Sequence, residues 1–92
     1  MNGERVRKRV VVHGDVQGVA FRDNTRRQAG SRGVDGWVTN RSDGAVEAVF
    51  EGDPDAVQSM VEFCKGGPRA ADVKDVDVSD EEPEGLSGFD VR

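Results

Sequence analysis

Residues 36–50 leave the chain the fewest choices. Gly36-Trp37-Val38-Thr39-Asn40 and Ala45-Val46-Glu47-Ala48-Val49-Phe50 flank a tip that contains Asp43-Gly44. Glycine after aspartate supplies the positive φ that a tight turn demands, so two β-rich stretches joined this way fold back as a hairpin. Val46, Ala48 and Phe50 alternate onto one face of the second strand, and that face must be covered by apolar side chains. What precedes and follows the hairpin decides what covers it.

Before it, Val6 to His13 reads as a β-branched strand with a charged start. Gly14 to Gly18 breaks that pattern. A helix is predicted from Phe21 to about Arg32, with Phe21, Thr25 and Ala29 four residues apart and Gly33 as its stop. After the hairpin, Asp53 is placed to cap a second helix that begins with Pro54, where a missing N–H is harmless. Val57, Met60, Val61 and Cys64 form its apolar stripe, and Gly66-Gly67-Pro68 ends it. On that stripe Cys64 reads as a small buried hydrophobe. Val73 to Ser79 alternates as a strand, Asp80 to Gly85 is an acidic loop, and Gly88 to Val91 makes a short closing strand. The order β-α-β-β-α-β with one added strand predicts an α+β, ferredoxin-like sandwich, its antiparallel sheet carrying both helices on one face. With 92 residues and no internal linker, one domain over 1–92 is expected.

Composition then removes whole classes of function. No apolar run approaches the ~20 residues that span a bilayer. The basic start (Arg5, Arg7, Lys8, Arg9) is followed only by Val10-Val11-Val12, too short for a signal-peptide core, so a cytoplasmic location is expected. One cysteine closes no internal disulfide, and Cys64 with His13 falls short of a closed zinc site, so no metal is expected. Residues 1–41 carry nine basic and four acidic side chains, residues 42–92 four and fourteen, for a net charge of -5. That acid excess, with four Phe, one Trp and no Tyr, argues against nucleic acid. A small anion handled by the N-terminal half stays open.

Two clusters carry the chemistry. Gly14-Asp15-Val16-Gln17-Gly18-Val19-Ala20-Phe21-Arg22 links a strand to a helix N-terminus, where main-chain N–H groups and the positive helix end converge. Arg22 is a cation in the first helical turn, unfavourable by about 0.3–1 kcal/mol unless an anion lies between it and the amides. The residues alone leave a phosphate cradle and a Gly-rich turn with a surface arginine equally open. Asn40 is an amide in an apolar, β-branched strand, fitted either to local turn bonding or to orienting a water molecule.

The first cluster resembles the acylphosphatase signature G-x-V-Q-G-V-x-F-R. Gly36-Trp37-Val38-Thr39-Asn40-Arg41-Ser42-Asp43-Gly44-Ala45-Val46-Glu47 resembles the second signature of that family, G-W-V-x-N-x-x-D-G-x-V-E. The resemblance extends to Gly52-Asp53-Pro54 and to the closing Gly88-Phe89-Asp90-Val91-Arg92. It implies the same ferredoxin-like fold and hydrolysis of the carboxyl–phosphate anhydride of an acyl phosphate, without metal or cofactor. By position it implies that Arg22 and the amides of Asp15, Val16, Gln17, Gly18 and Val19 hold the phosphoryl group, and that Asn40 positions the attacking water. Orthophosphate or sulfate would bind as product-like ligands, and the chain would be a monomer with no membrane or nucleic-acid partner. A non-catalytic anion-sensing or carbamoyl-transfer accessory module of the same fold is the alternative. His13 and Trp37 are read as structural, Gln17 as shaping the loop, and Thr39, Ser42 and Asp43 as hairpin residues. Asp15 departs from the pattern, since a carboxylate facing a phosphate repels it by about 1 kcal/mol when both are solvated.

Overall fold

A computed structural model describes residues 4–92, which run β1 (Val6–Asp15), α1 (Phe21–Arg32), β2 (Asp35–Asn40), β3 (Val46–Gly52), α2 (Pro54–Gly66), β4 (Asp72–Glu81) and β5 (Phe89–Val91). The hairpin forms between β2 and β3, with Val38 opposite Ala48 and Asn40 opposite Val46. Its turn is closed by the Arg41 N–H donating to the Ala45 carbonyl at 2.8 Å and the Gly44 N–H donating to Arg41 at 3.2 Å. The Asp43 carboxylate accepts from the Ala45 N–H at 3.0 Å. That bond and Arg41 hold its pKa below the ordinary value.

The five strands lie in the order β4-β1-β3-β2-β5. The first four pair antiparallel, as expected for the ferredoxin-like arrangement, but β5 lies parallel to β2, so the sheet is mixed. The reason is the connection. Residues 82–88 leave β4 at the end of the sheet where β1 and β2 begin, cross to the far edge and start β5 at that same end. A strand launched from there runs with β2.

One carboxylate holds this crossing. Glu51, fully buried near the end of β3, accepts the main-chain N–H groups of Glu84 (2.9 Å), Gly85 (3.1 Å) and Leu86 (3.1 Å). It also pairs with the buried Arg7 at 2.8 Å and with Arg5 at 3.4 Å. Burial pushes its pKa up. The Glu84 amide, Arg7, the Leu86 amide and Arg5 together outweigh burial and bring it to about 2.

The helices sit on one face because the strands alternate. Val10, Val12, Val38, Val46, Ala48 and Phe50 point into a single cluster with Phe21 and Ala29 of α1 and Val57, Met60, Val61 and Cys64 of α2. Thr25, also buried, satisfies its hydroxyl on the Phe21 carbonyl at 2.7 Å. At the start of α2 the Asp53 carboxylate accepts from Asp55 and Ala56, and α1 ends on Gly33 with the Val34 N–H donating to Ala29 at 2.9 Å. The opposite sheet face is ionic. Arg7 and Arg9 share Glu81, Arg9 also pairs with Glu47, and the guanidinium groups of Arg9 and Arg92 lie over the Trp37 ring at 5.5 and 4.7 Å.

Candidate active site

At the end of the sheet away from Glu51, four elements meet: β1 with its following loop, the N-terminus of α1, and the C-terminal ends of β2 and β5. Between them is a cavity of about 170 Å³ lined by Val16, Gly18, Ala20, Phe21, Arg22, Asp23, Asn40 and Val91. The chain enters the loop through a register shift between His13 and Gly14. Gly14 has φ +128, and a Cβ there would lie 2.2 Å from the Asp72 carbonyl oxygen, so no other residue fits this crossing without displacing β4. The loop leaves through Ala20 in the left-handed region (φ 60), the one non-glycine residue with positive φ among the described residues. Ala20 is the N-cap of α1. Its carbonyl accepts from both the main chain and the side chain of Asn24.

Arg22 therefore stands in the first turn of α1, on the cavity wall. One nitrogen of its guanidinium donates to the main-chain oxygen of Arg92 at 2.8 Å, and Thr39 donates to the same oxygen at 3.2 Å. Arg92 is fixed in turn by its N–H to the Val38 carbonyl at 2.8 Å. The last residue of the described chain thus ties Arg22 to the strand that carries Asn40. Asn40 ends β2, half-buried, on the same wall.

The residues expected to cradle a phosphoryl group separate into two sets. Val16 and Gly18 line the cavity with Arg22 and Asn40, whereas Asp15, Gln17 and Val19 do not. Asp15 is exposed at the end of β1, opposite Asp72 of β4, and Lys74 lies near enough to feel its charge. Its carboxylate is thereby outside the cavity lining. Gln17 turns its side chain to the hairpin, donating to the Arg41 carbonyl at 2.7 Å and the Ala45 carbonyl at 2.9 Å. His13 contacts Asp77 at 3.1 Å across to β4 and is absent from the wall.

Four further residues complete the wall, none given a site role by the sequence: Ala20, Phe21, Asp23 and Val91. Asp23 had a legible signal, an acid in a first helical turn. Arg26 at 2.8 Å and Arg27 at 3.0 Å both bind it, the Arg26 bond foremost in holding its carboxyl below the ordinary value. Arg22, Arg26 and Arg27 against Asp23 leave the first two turns of α1 net positive. The site can hold a compact anion against a guanidinium and a helix N-terminus, with a neutral carboxamide beside it.

The chain is similar to known proteins along nearly its whole length. The Acylphosphatase family model matches residues 8–91. An acylphosphatase of Natronomonas pharaonis is 52% identical over 97% of this chain and 97% of its own length. One of Haloarcula marismortui is 58% identical over 94% of each. The crystal structure of acylphosphatase from Bacillus subtilis superposes with a TM-score of 0.91 at 40% identity, covering 95% of this chain and 98% of that one.

Proposed function

The chain is an enzyme of the acylphosphatase family, and from that premise we propose that Arg22 and Asn40 divide the work of hydrolysing an acyl phosphate. In this reading the phosphoryl oxygens accept from Arg22 and from the amides of residues 15–19, while Asn40 orients a water molecule behind phosphorus. The water oxygen forms the new bond to phosphorus as the bridging oxygen leaves with its electron pair as a carboxylate. The water proton passes to a phosphate oxygen, so the products are a carboxylate and orthophosphate. A carboxylate is a good leaving group, and phosphoryl transfer chiefly demands positioning and charge stabilisation. No metal, cofactor or protein nucleophile enters.

The observation that supports this reading most is that Arg22, in a helix, and Asn40, in a strand, line one cavity together with Gly18 of the loop. The charge around it agrees: Arg26 and Arg27 answer the Asp23 carboxylate on the same wall, which leaves Arg22 as the cation of that wall. The same reading makes the chain a one-domain cytoplasmic monomer whose partners are small acyl phosphates, with orthophosphate or sulfate as product-like ligands.

The test is direct. Purified protein is mixed with acetyl phosphate in excess chelator, and loss of the anhydride is followed alongside Arg22→Gln and Asn40→Ala. Hydrolysis in chelator is expected, with about 10²–10³-fold lower turnover in either variant. A rate that required added zinc or magnesium, or variants as fast as the parent, would overturn the assignment.

A further inference from the structure

We propose that Gln17 is a positioning residue that fixes where Asn40 stands relative to the bound phosphoryl group; the proposal rests on the functional reading above. Val16 and Gly18, its neighbours in sequence, both form the cavity wall, whereas its own side chain leaves the loop and grips the hairpin. A primary amide has a pair of N–H donors on one nitrogen. Here one goes to the Arg41 carbonyl at 2.7 Å and the other to the Ala45 carbonyl at 2.9 Å. Arg41 follows Asn40 directly, and Ala45 precedes Val46, the residue paired with Asn40 across the hairpin. The two residues are themselves joined, the Arg41 N–H donating to the Ala45 carbonyl at 2.8 Å. The carboxamide therefore bridges the mouth of the turn just where β2 delivers Asn40.

The geometry turns a loop and a hairpin into one body. On one side are the N–H groups that would hold phosphate; on the other is the carboxamide that would hold water. The loop has glycines at 14 and 18 and is anchored in the core by Val16, and the Gln17 carboxamide is what hydrogen-bonds it to the mouth of the hairpin. A misplacement of about 1 Å between reacting groups costs on the order of 10²-fold in rate. Gln17 is thus expected to govern turnover far more than anion affinity, because the loop amides and Arg22 remain in place without it.

A double-mutant cycle tests this with acetyl phosphate as substrate and orthophosphate as competing ligand. Gln17→Met keeps the size and removes both donors; Gln17→Asn, too short to span both carbonyls, serves where the first variant fails to fold. The expected result is a kcat lowered about 10- to 100-fold. KM and the orthophosphate inhibition constant are expected to move less than about threefold, since the phosphate contacts persist. In an Asn40→Ala background the same change should lower kcat by less than about threefold, because there is no longer a carboxamide to position. Equal losses in both backgrounds, or an unchanged kcat with only a lower melting temperature, would overturn the positioning role. An Asn40→Ala protein that keeps full turnover would instead bring down the functional reading, and this inference with it.

Discussion

The two ends of the sheet treat charge in opposite ways. At one end Glu51 is fully buried and surrounded by three amides, Arg7 and Arg5, and Arg7 is also bound to Glu81. At the other, Arg22 gives one nitrogen to the Arg92 main chain and keeps the rest of its fork on the wall of a cavity. The first arrangement neutralises its charge internally and holds a loop crossing in place. The second holds a charge in position with donors to spare, which is the condition for taking an external anion. The teaching is that an ionic cluster identifies a site by what its donors leave unanswered, and not by how many charges it gathers.

The sharpest break in this comparison would come from Glu51→Ala, which strips three loop amides of their acceptor and leaves the buried Arg7 with Glu81 as its close partner. A destabilisation of about 3–5 kcal/mol is expected in urea unfolding, with kcat unchanged in the fraction that stays folded. A large kcat loss with full stability would mean that the two ends are not independent. Arg22→Gln should do the reverse. About 2.7–4 kcal/mol of transition-state stabilisation is expected to vanish while the unfolding midpoint barely moves. A midpoint that falls as far as in Glu51→Ala would assign Arg22 a structural task.

Acid sharpens the contrast at lower amplitude. The Glu51 pKa lies at about 2 against an ordinary 4.5, so its stabilising contribution is complete above the higher value. As pH falls from 4.5 toward 2, the folded state loses it. Melting temperatures of the parent and Glu51→Gln should therefore differ by a constant amount above about pH 5 and converge below it. Parallel curves down to the acid limit would refute the depressed pKa. The smallest effect is expected from Asp15→Asn. Because its carboxylate lies outside the cavity lining, KM for acetyl phosphate should stay within about twofold at low salt. A clear drop in KM would place that charge in the ligand's field after all.

Much of the frame was legible in local chemistry. Asp43-Gly44 fixed the hairpin, Asp53-Pro54 the start of α2, and Gly33 the end of α1, because each acts within a few residues of itself. The parallel entry of β5 was not legible. Three residues carry no directional signal, and the direction is imposed by a crossing that Glu51 holds from β3. Glu51 itself follows an alternating strand and looks like a solvent-facing acid until residues 84–86 cover it. In the site, Arg22 and Asn40 stood out as residues at odds with their local setting. Gln17's reach to the hairpin, the left-handed Ala20 and the Arg92 oxygen beside Arg22 depend on contacts across long stretches of chain, and periodicity says nothing of those.

The lone tryptophan gives the cavity a built-in optical reporter. Trp37 has the Arg92 guanidinium stacked 4.7 Å from its ring, and the Arg92 main chain is what holds Arg22. An oxyanion that drew Arg22 away from that oxygen would remove one of the three bonds that fix the residue lying on the indole. Emission from this single unlabelled fluorophore is therefore expected to change on titration with orthophosphate, and a flat trace would show that the Arg92 contact is unmoved.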